Sequence, residues 1–253
     1  MAPKDTRQAT RTVSRQSGAG LQAVCAEVIV CRRCPRLLDY REHVAREKRR
    51  AFRDWEYWGR PLPGFGDPAA RIMVIGLAPA AHGGNRTGRI FTGDRSGDWL
   101  FETLYRFGFA SQPTSTHRND GLRLTDTYIN AAVRCAPPDN KPTREEVNNC
   151  QPYLARELQL LRNLRVIIAL GRLAFDAYLS TRRALGQPVP PPRPQFAHAE
   201  VYELSNVCLI GSYHPSQRNT QTGMLTHEMF DRVFSAARQL LPPSLSPSER
   251  RPG

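Results

Sequence analysis

RIMVIGLAPAAHGGNRTGRIFTGDRSGDW, from Arg71 to Trp99, decides how the chain is organised. Ile72 to Leu77 is a short apolar run rich in β-branched residues and closed by Gly76, the pattern of a buried strand. Beyond it Pro79, Gly83, Gly84, Gly88, Gly93 and Gly97 are too many breakers for a regular element, and polar residues fill the gaps. One reading is a turn into the helix suggested by Leu100, Phe101 and Leu104, with Asp94 or Ser96 capping it. The other is a ligand cradle at the carboxyl end of a parallel strand, where open α/β sheets bind substrates. A phosphate P-loop is excluded because no Gly-Lys-Ser/Thr follows, and GxGxxG is absent.

Outward from this stretch, three more strand candidates follow: Thr127 to Cys135, Arg165 to Leu170 and Val207 to Gly211. Helical segments separate them, which predicts a three-layer α/β/α fold around a mostly parallel four-stranded sheet. Thr143 and Glu146 form a capping-box signal, and Pro152 is expected to break or restart the helix behind it. The polar groups at Gly76 to Asp94, at Asn130 and at His214 to Ser216 all close strands, so they should converge on one sheet edge. Asn130 inside an apolar run is either a satisfied core amide or a base-reading group.

The chain has 253 residues and a formal charge of +13, enough for one domain and suggestive of a polyanionic partner, nucleic acid first. Residues 1–20 and 242–253 are polar and read as disordered tails around a single domain at 21–241. No apolar run is long enough to span a membrane, and no signal-peptide core is seen. A cytoplasmic monomer is expected. Between Arg41 and Arg60, basic residues alternate with Trp55, Tyr57 and Trp58, a mixture that serves backbone contact and base stacking or simply covers a core.

Cys31 and Cys34 are spaced CxxC, and fourteen residues separate Cys135 from Cys150. In a cytoplasmic chain four such cysteines point to metal rather than disulfides. Zinc and an iron-sulfur cluster both satisfy the count, and spacing alone does not choose. Cys25 and Cys208 are expected to be small buried hydrophobes.

The motif Gly76-Leu77-Ala78-Pro79-Ala80, the FTGD of Phe91 to Asp94, Asn130 and the HPS of His214 to Ser216 resemble the uracil-DNA glycosylase superfamily. The cysteine pattern is similar to its cluster-bearing bacterial and archaeal branches, and GLAPA resembles family 5, also called type B. The resemblance implies a [4Fe-4S] cluster on Cys31, Cys34, Cys135 and Cys150, with zinc as the alternative. It also implies a DNA partner carrying uracil or another deaminated or damaged base, such as hypoxanthine or ethenocytosine, excised at the start of base excision repair.

Under that resemblance the flipped base lies against Gly76 and Ala78, stacks on Phe91 and is read by Asn130, while His214 donates to O2 as charge develops. Ala78 can do no acid-base chemistry where relatives carry an acidic or amide residue, so Asp94 is the expected catalytic carboxylate. His82, Asn85, Ser216, Arg218 and Asn219 are expected to touch DNA, with the wedge residue left open. No lysine occupies the motif loop, so water is the nucleophile and the enzyme monofunctional. A family-4 type, uracil-specific enzyme and a noncatalytic zinc-stabilised DNA-binding protein are the alternatives.

Overall fold

The computed structural model of the protein describes residues 5–241, with side chains from residue 16 onward. Six strands form one sheet: β1 (Phe65–Gly66), β2 (Ile72–Gly76), β3 (Thr127–Ala131), β4 (Val166–Leu170), β5 (Val201–Leu204) and β6 (Val207–Ser212). Their spatial order is β1-β3-β2-β4-β6-β5. The inner four, those read from the sequence, are parallel. The expected count of four is corrected by two antiparallel edge strands, β1 on β3 and β5 on β6. β1 is two residues long and carries no periodicity to read. β5 exposes Val201 and Glu203 and buries only Leu204 fully, so it lacks the continuous apolar signature of a strand covered on both faces.

Eight α-helices are described: α1 (Asp5–Ile29), α2 (Pro35–Glu47), the single turn α3 (Gly84–Thr87), α4 (Arg95–Arg106), α5 (Arg144–Leu160), α6 (Arg172–Ala184), the short α7 (Gln217–Gln221) and α8 (His227–Gln239). One sheet face, with Val74, Ile129, Ile168 and Ile210, packs on Leu100, Phe101 and Leu104 of α4 and on Phe230, Val233 and Phe234 of α8. The other, with Met73, Ile75, Tyr128 and Ile167, packs on Leu21 of α1, Leu154 of α5 and Phe175 and Tyr178 of α6. Every residue of β2, β3 and β4 is buried. The three layers are thus those expected.

The amino-terminal tail needs correction. From Asp5 the segment expected to be disordered to residue 20 is already helix α1. Ser17 is buried and its Oγ donates to the Leu160 carbonyl at 2.8 Å. Gly20 lies so close to Leu160 that a β-carbon would collide with it. Ser17, Leu21, Val24 and Val28 fall on one helical face, but its first member is a serine, which composition counts as polar. Residues 1–4 and the expected tail at 242–253 lie outside the described residues. The capping box is formed, Thr143 N donating to Glu146 Oε2 at 2.7 Å and Glu146 N to Thr143 Oγ1 at 3.2 Å. Pro152 stays inside α5 without breaking it.

Candidate active site

The glycine-rich stretch after β2 is tightly bonded. Arg86 donates to the carbonyls of His82 at 2.8 Å and Gly93 at 3.0 Å. Thr87 Oγ1 donates to Thr92 O at 3.0 Å. Arg89, also buried, holds Thr92, Ser115 and Asp120 at once. The guanidinium of Arg89, with three backbone donors, keeps the Asp120 carboxyl far below the usual carboxylate range despite burial. Sequence reading missed Arg86, Arg89, Ser115 and Asp120 as the framework of the loop. The available signal was two arginines inside a glycine-rich loop, a place where charged side chains have to fold inward to find acceptors.

This framework presents Phe91 at the carboxyl edge of the sheet. Phe91 has φ +55°, an unusual backbone for a bulky residue, and strain of this kind persists only where the surroundings enforce it. Its ring covers Gly76, where a β-carbon would sit 2.6 Å from Cζ, so glycine is required at the end of β2. Phe91 and His214 stack with centroids 5.9 Å apart and planes 28° apart. His214 follows β6, and its ring makes no hydrogen bond among the described residues; burial pushes its pKa down to about 4, so the imidazole is neutral at pH 7.

Asp94 closes the loop as the N-cap of α4, its Oδ1 accepting from Gly97 N at 3.0 Å. Its second carboxylate oxygen faces Gly83, which has no room for a β-carbon. Burial raises the Asp94 pKa, the backbone amides of Gly97 and Ser96 oppose it, and Asp98 adds to it. The capping read from the sequence is thus present, on a carboxylate that is itself buried.

Three expected base or DNA contacts fall elsewhere. Asn130 is fully buried and points to the opposite face of the sheet, Nδ2 donating to Glu157 Oε2 at 2.8 Å. The two-residue alternation of a strand turns Ala131, not Asn130, toward the Phe91 side. Asn85 is also fully buried and donates to the Arg41 carbonyl at 3.2 Å, away from the surface. Ala78 is half-buried and packs against the cluster of Leu37, Val133, Cys135 and Cys150 beside the cysteine cavity.

The remaining candidates stay near the edge. His82 is half-buried and hydrogen-bonds the Tyr57 hydroxyl through Nδ1 at 3.0 Å; burial, then Arg49 and Arg86, lower its pKa. Ser216 caps α7 by accepting from Asn219 N at 3.3 Å, and Asn219 Nδ2 donates to the His214 carbonyl at 2.9 Å. Arg218 is exposed on that turn. Between residues 48 and 60 the two sequence readings divide the side chains. Phe52 and Trp55 clasp the Arg86 guanidinium at 3.9 and 4.1 Å, while Arg49, Arg50, Arg53 and Arg60 face solvent.

Cys31, Cys34, Cys135 and Cys150 line one cavity between the start of α2, the residues after β3 and α5. All are free thiols. Burial pushes Cys135 up to about 12 and Cys150 up to about 11, a bias toward the thiol that a bound cation opposes. Arg41 Nη1 donates to Cys135 Sγ at 3.2 Å and Asn149 Nδ2 to Cys34 Sγ at 3.5 Å. An all-sulfur donor set with cationic walls fits a thiolate-bound metal group. Among the described residues no three of His, Cys, Asp or Glu close around a single ion, whereas four sulfurs on zinc would stand about 3.8 Å apart at a Zn–S distance of about 2.3 Å. Cys25 and Cys208 lie outside the cavity and are half-buried, not fully buried as expected.

Comparison with known proteins gives a consistent picture. A family model described as the uracil DNA glycosylase superfamily matches residues 63–238. A type-5 uracil-DNA glycosylase of Mycobacterium tuberculosis is 50% identical over 228 residues, covering 88% of this chain and 83% of its own. One of Thermus thermophilus is 50% identical over 220 residues, covering 87% of this chain and 97% of its own. A type-4 uracil-DNA glycosylase of Archaeoglobus fulgidus is 37% identical over a shorter 168 residues, 61% of this chain and 70% of its own.

Proposed function

The chain belongs to the uracil-DNA glycosylase superfamily and groups with its type-5 members, and we propose that it is a monofunctional glycosylase releasing uracil and other deaminated bases from DNA. The observation that carries this reading is the meeting of the loop bearing Phe91 and Asp94 with His214, from a second and distant point of the chain, at one edge of the parallel sheet. A nucleotide leaving the duplex brings its base against Phe91, which offers a flat apolar wall. Neutral His214 then donates to uracil O2, a hydrogen bond that strengthens as negative charge develops there.

In the reaction, the bond between C1′ and N1 breaks heterolytically and its electron pair leaves with the base. Water adds to the oxocarbenium-like C1′, losing a proton, and the sugar is left abasic. Asp94 stabilises the cation and orients that water; burial raises its pKa against the two backbone amides that hold it. The exposed arginines at positions 49, 50, 53, 60 and 218 supply phosphate contacts.

Asn130 bears on substrate range. With its amide bonded to Glu157, the side chain expected to read the Watson-Crick edge is not offered to the base, and a pocket lacking that contact discriminates less strictly. This favours hypoxanthine and ethenocytosine as further substrates. We also assign a [4Fe-4S] cluster to Cys31, Cys34, Cys135 and Cys150, where it serves to hold α2 against α5 and the end of β3.

The test is to incubate anaerobically purified protein, in EDTA without magnesium, with duplexes carrying one uracil or one hypoxanthine, and then to treat with alkali. Breaks in both that appear only after alkali are expected. Breakage of the uracil duplex alone supports a type-4-like specificity. Intact strands, with a colourless zinc-containing protein that binds DNA in a salt-sensitive way, overturn the enzymatic reading.

A further inference from the structure

Arg41 touches two regions that lie far apart in sequence. Its guanidinium is buried in the wall of the cysteine cavity, where Nη1 donates to Cys135 Sγ at 3.2 Å. Its backbone carbonyl accepts from Asn85 Nδ2 at 3.2 Å. Asn85 belongs to α3, the turn that also carries Arg86, and Arg86 holds the Gly93 carbonyl directly before Asp94. Arg41 itself sits on α2, whose N-cap is Cys34. One helix therefore joins a cysteine of the cavity to the loop that bears the proposed catalytic carboxylate.

The cavity wall is short of acceptors. Arg41 Nε and both Nε and Nη1 of Arg134 are buried donors without a partner among the described residues. Glu42 approaches Arg41 only to 3.9 Å, and Glu157 engages Arg134 through Nη2 alone. Native proteins rarely leave buried donors unpaired, and a buried guanidinium needs an anion beside it. The groups that share this wall are four cysteine sulfurs, which are anionic once they bind a metal.

We propose that Arg41 is a positioning residue whose guanidinium, together with Arg134, balances the charge of an anionic sulfur-ligated group in the four-cysteine cavity, and whose carbonyl transmits the resulting position of α2 to the catalytic loop through Asn85. The proposal rests on the cluster assignment above. It gives that cluster a defined effect on base release without assigning it any redox step. It also explains why Asn85, in a motif loop next to the site, is turned inward to a main-chain carbonyl.

The holoprotein and three variants test this. Arg41→Leu is expected to lose iron and acid-labile sulfide, to shift the reduction potential of any retained cluster to more negative values, and to speed hydrogen exchange at residues 83–88. Arg41→Lys, which keeps the charge, is expected to recover iron retention. Asn85→Leu is expected to keep iron, sulfide and the visible spectrum while kcat on uracil falls about tenfold with KM little changed, the signature of a misplaced catalytic group. If wild-type protein holds neither iron nor sulfide, the cluster assignment falls and this proposal with it. If wild type is loaded but Arg41→Leu leaves iron content, potential and exchange unchanged, only the proposal is overturned. Should Arg41→Leu not fold, an unchanged kcat in Asn85→Leu overturns it.

Discussion

Tyr128 and Asn130 leave β3 on one side of the sheet and Ile129 and Ala131 on the other, and polar groups on the two sides are organised in opposite ways. On the first side Glu157, fully buried, accepts from Tyr128 at 3.3 Å, from Asn130 at 2.8 Å and from Arg134. On the second side, at the strand ends, Asp94 accepts from backbone amides and His214 has no ring partner among the described residues. Both regions hold perturbed groups: burial and Glu157 raise the Tyr128 hydroxyl as surely as burial lowers His214. A perturbed pKa alone thus marks neither as a site. The carboxylates themselves differ: Glu157 is engaged at both oxygens and has nothing left for a substrate, the unpartnered groups on its side, among the described residues, being Arg134 Nε and Nη1 and Asn130 Oδ1.

The comparison is broken most severely by Glu157→Gln. The change leaves the Arg134 guanidinium buried without its counter-charge, and breaking such a pair costs about 3–5 kcal/mol. Denaturant unfolding is expected to show that loss, while the rate of uracil release per folded molecule stays near wild type. Asp94→Asn is expected to do the reverse. Base release should fall about 10²–10³-fold, yet the thermal midpoint should rise. The amide still caps Gly97, and it removes a carboxylate whose folded pKa is raised, which means that folding disfavours its charge at neutral pH. A variant both inactive and less stable would place Asp94 with the structural groups.

A smaller effect is expected from His214. Its folded pKa of about 4 lies below the ordinary value of about 6.5. Between these values the unfolded chain binds the proton and the folded one does not, so stability rises with pH through the window and is lost toward its acid end. Wild type should unfold more readily as pH drops from 6.5 to 4, and His214→Asn should flatten that slope while slowing base release.

The sequence made the two sides unequally legible. The four inner strands are continuous apolar runs, and Gly76, Phe91, Asp94 and His214 stand in local motifs at or beyond their ends, so the parallel sheet and the edge at which these residues meet were readable without coordinates. What was not readable depends on side-chain direction or on partners distant in the chain. Asn130 and Ala131 are neighbours, and a shift of one residue exchanges sheet faces. Asn85 reads as a polar loop residue until Arg41, forty-four positions earlier, is seen beneath it. Glu157 lies in the last turn of α5, and nothing local identifies it as the partner of residues on β3. The face of α1 was hidden because Ser17 begins it.

Asn130→Ser gives the smallest expected effect and the most discriminating one. Serine is too short to keep the Asn130 bond to Glu157, so one hydrogen bond to a buried charge is lost, a stability change of about 1.5–3 kcal/mol. The Phe91 side of the sheet is left untouched, because residue 130 points away from it. The ratio of kcat/KM for uracil over hypoxanthine should therefore stay within about twofold of wild type, measured on matched duplexes at a temperature where both proteins are folded. A base-reading amide behaves otherwise: removing a hydrogen-bonding group from a specificity pocket alters discrimination by orders of magnitude. A tenfold or larger change in that ratio would show that Asn130 turns toward the base when DNA is bound. The closed network around Glu157 would then be the resting state of a recognition group, and the separation of the two sides would hold only in the free protein.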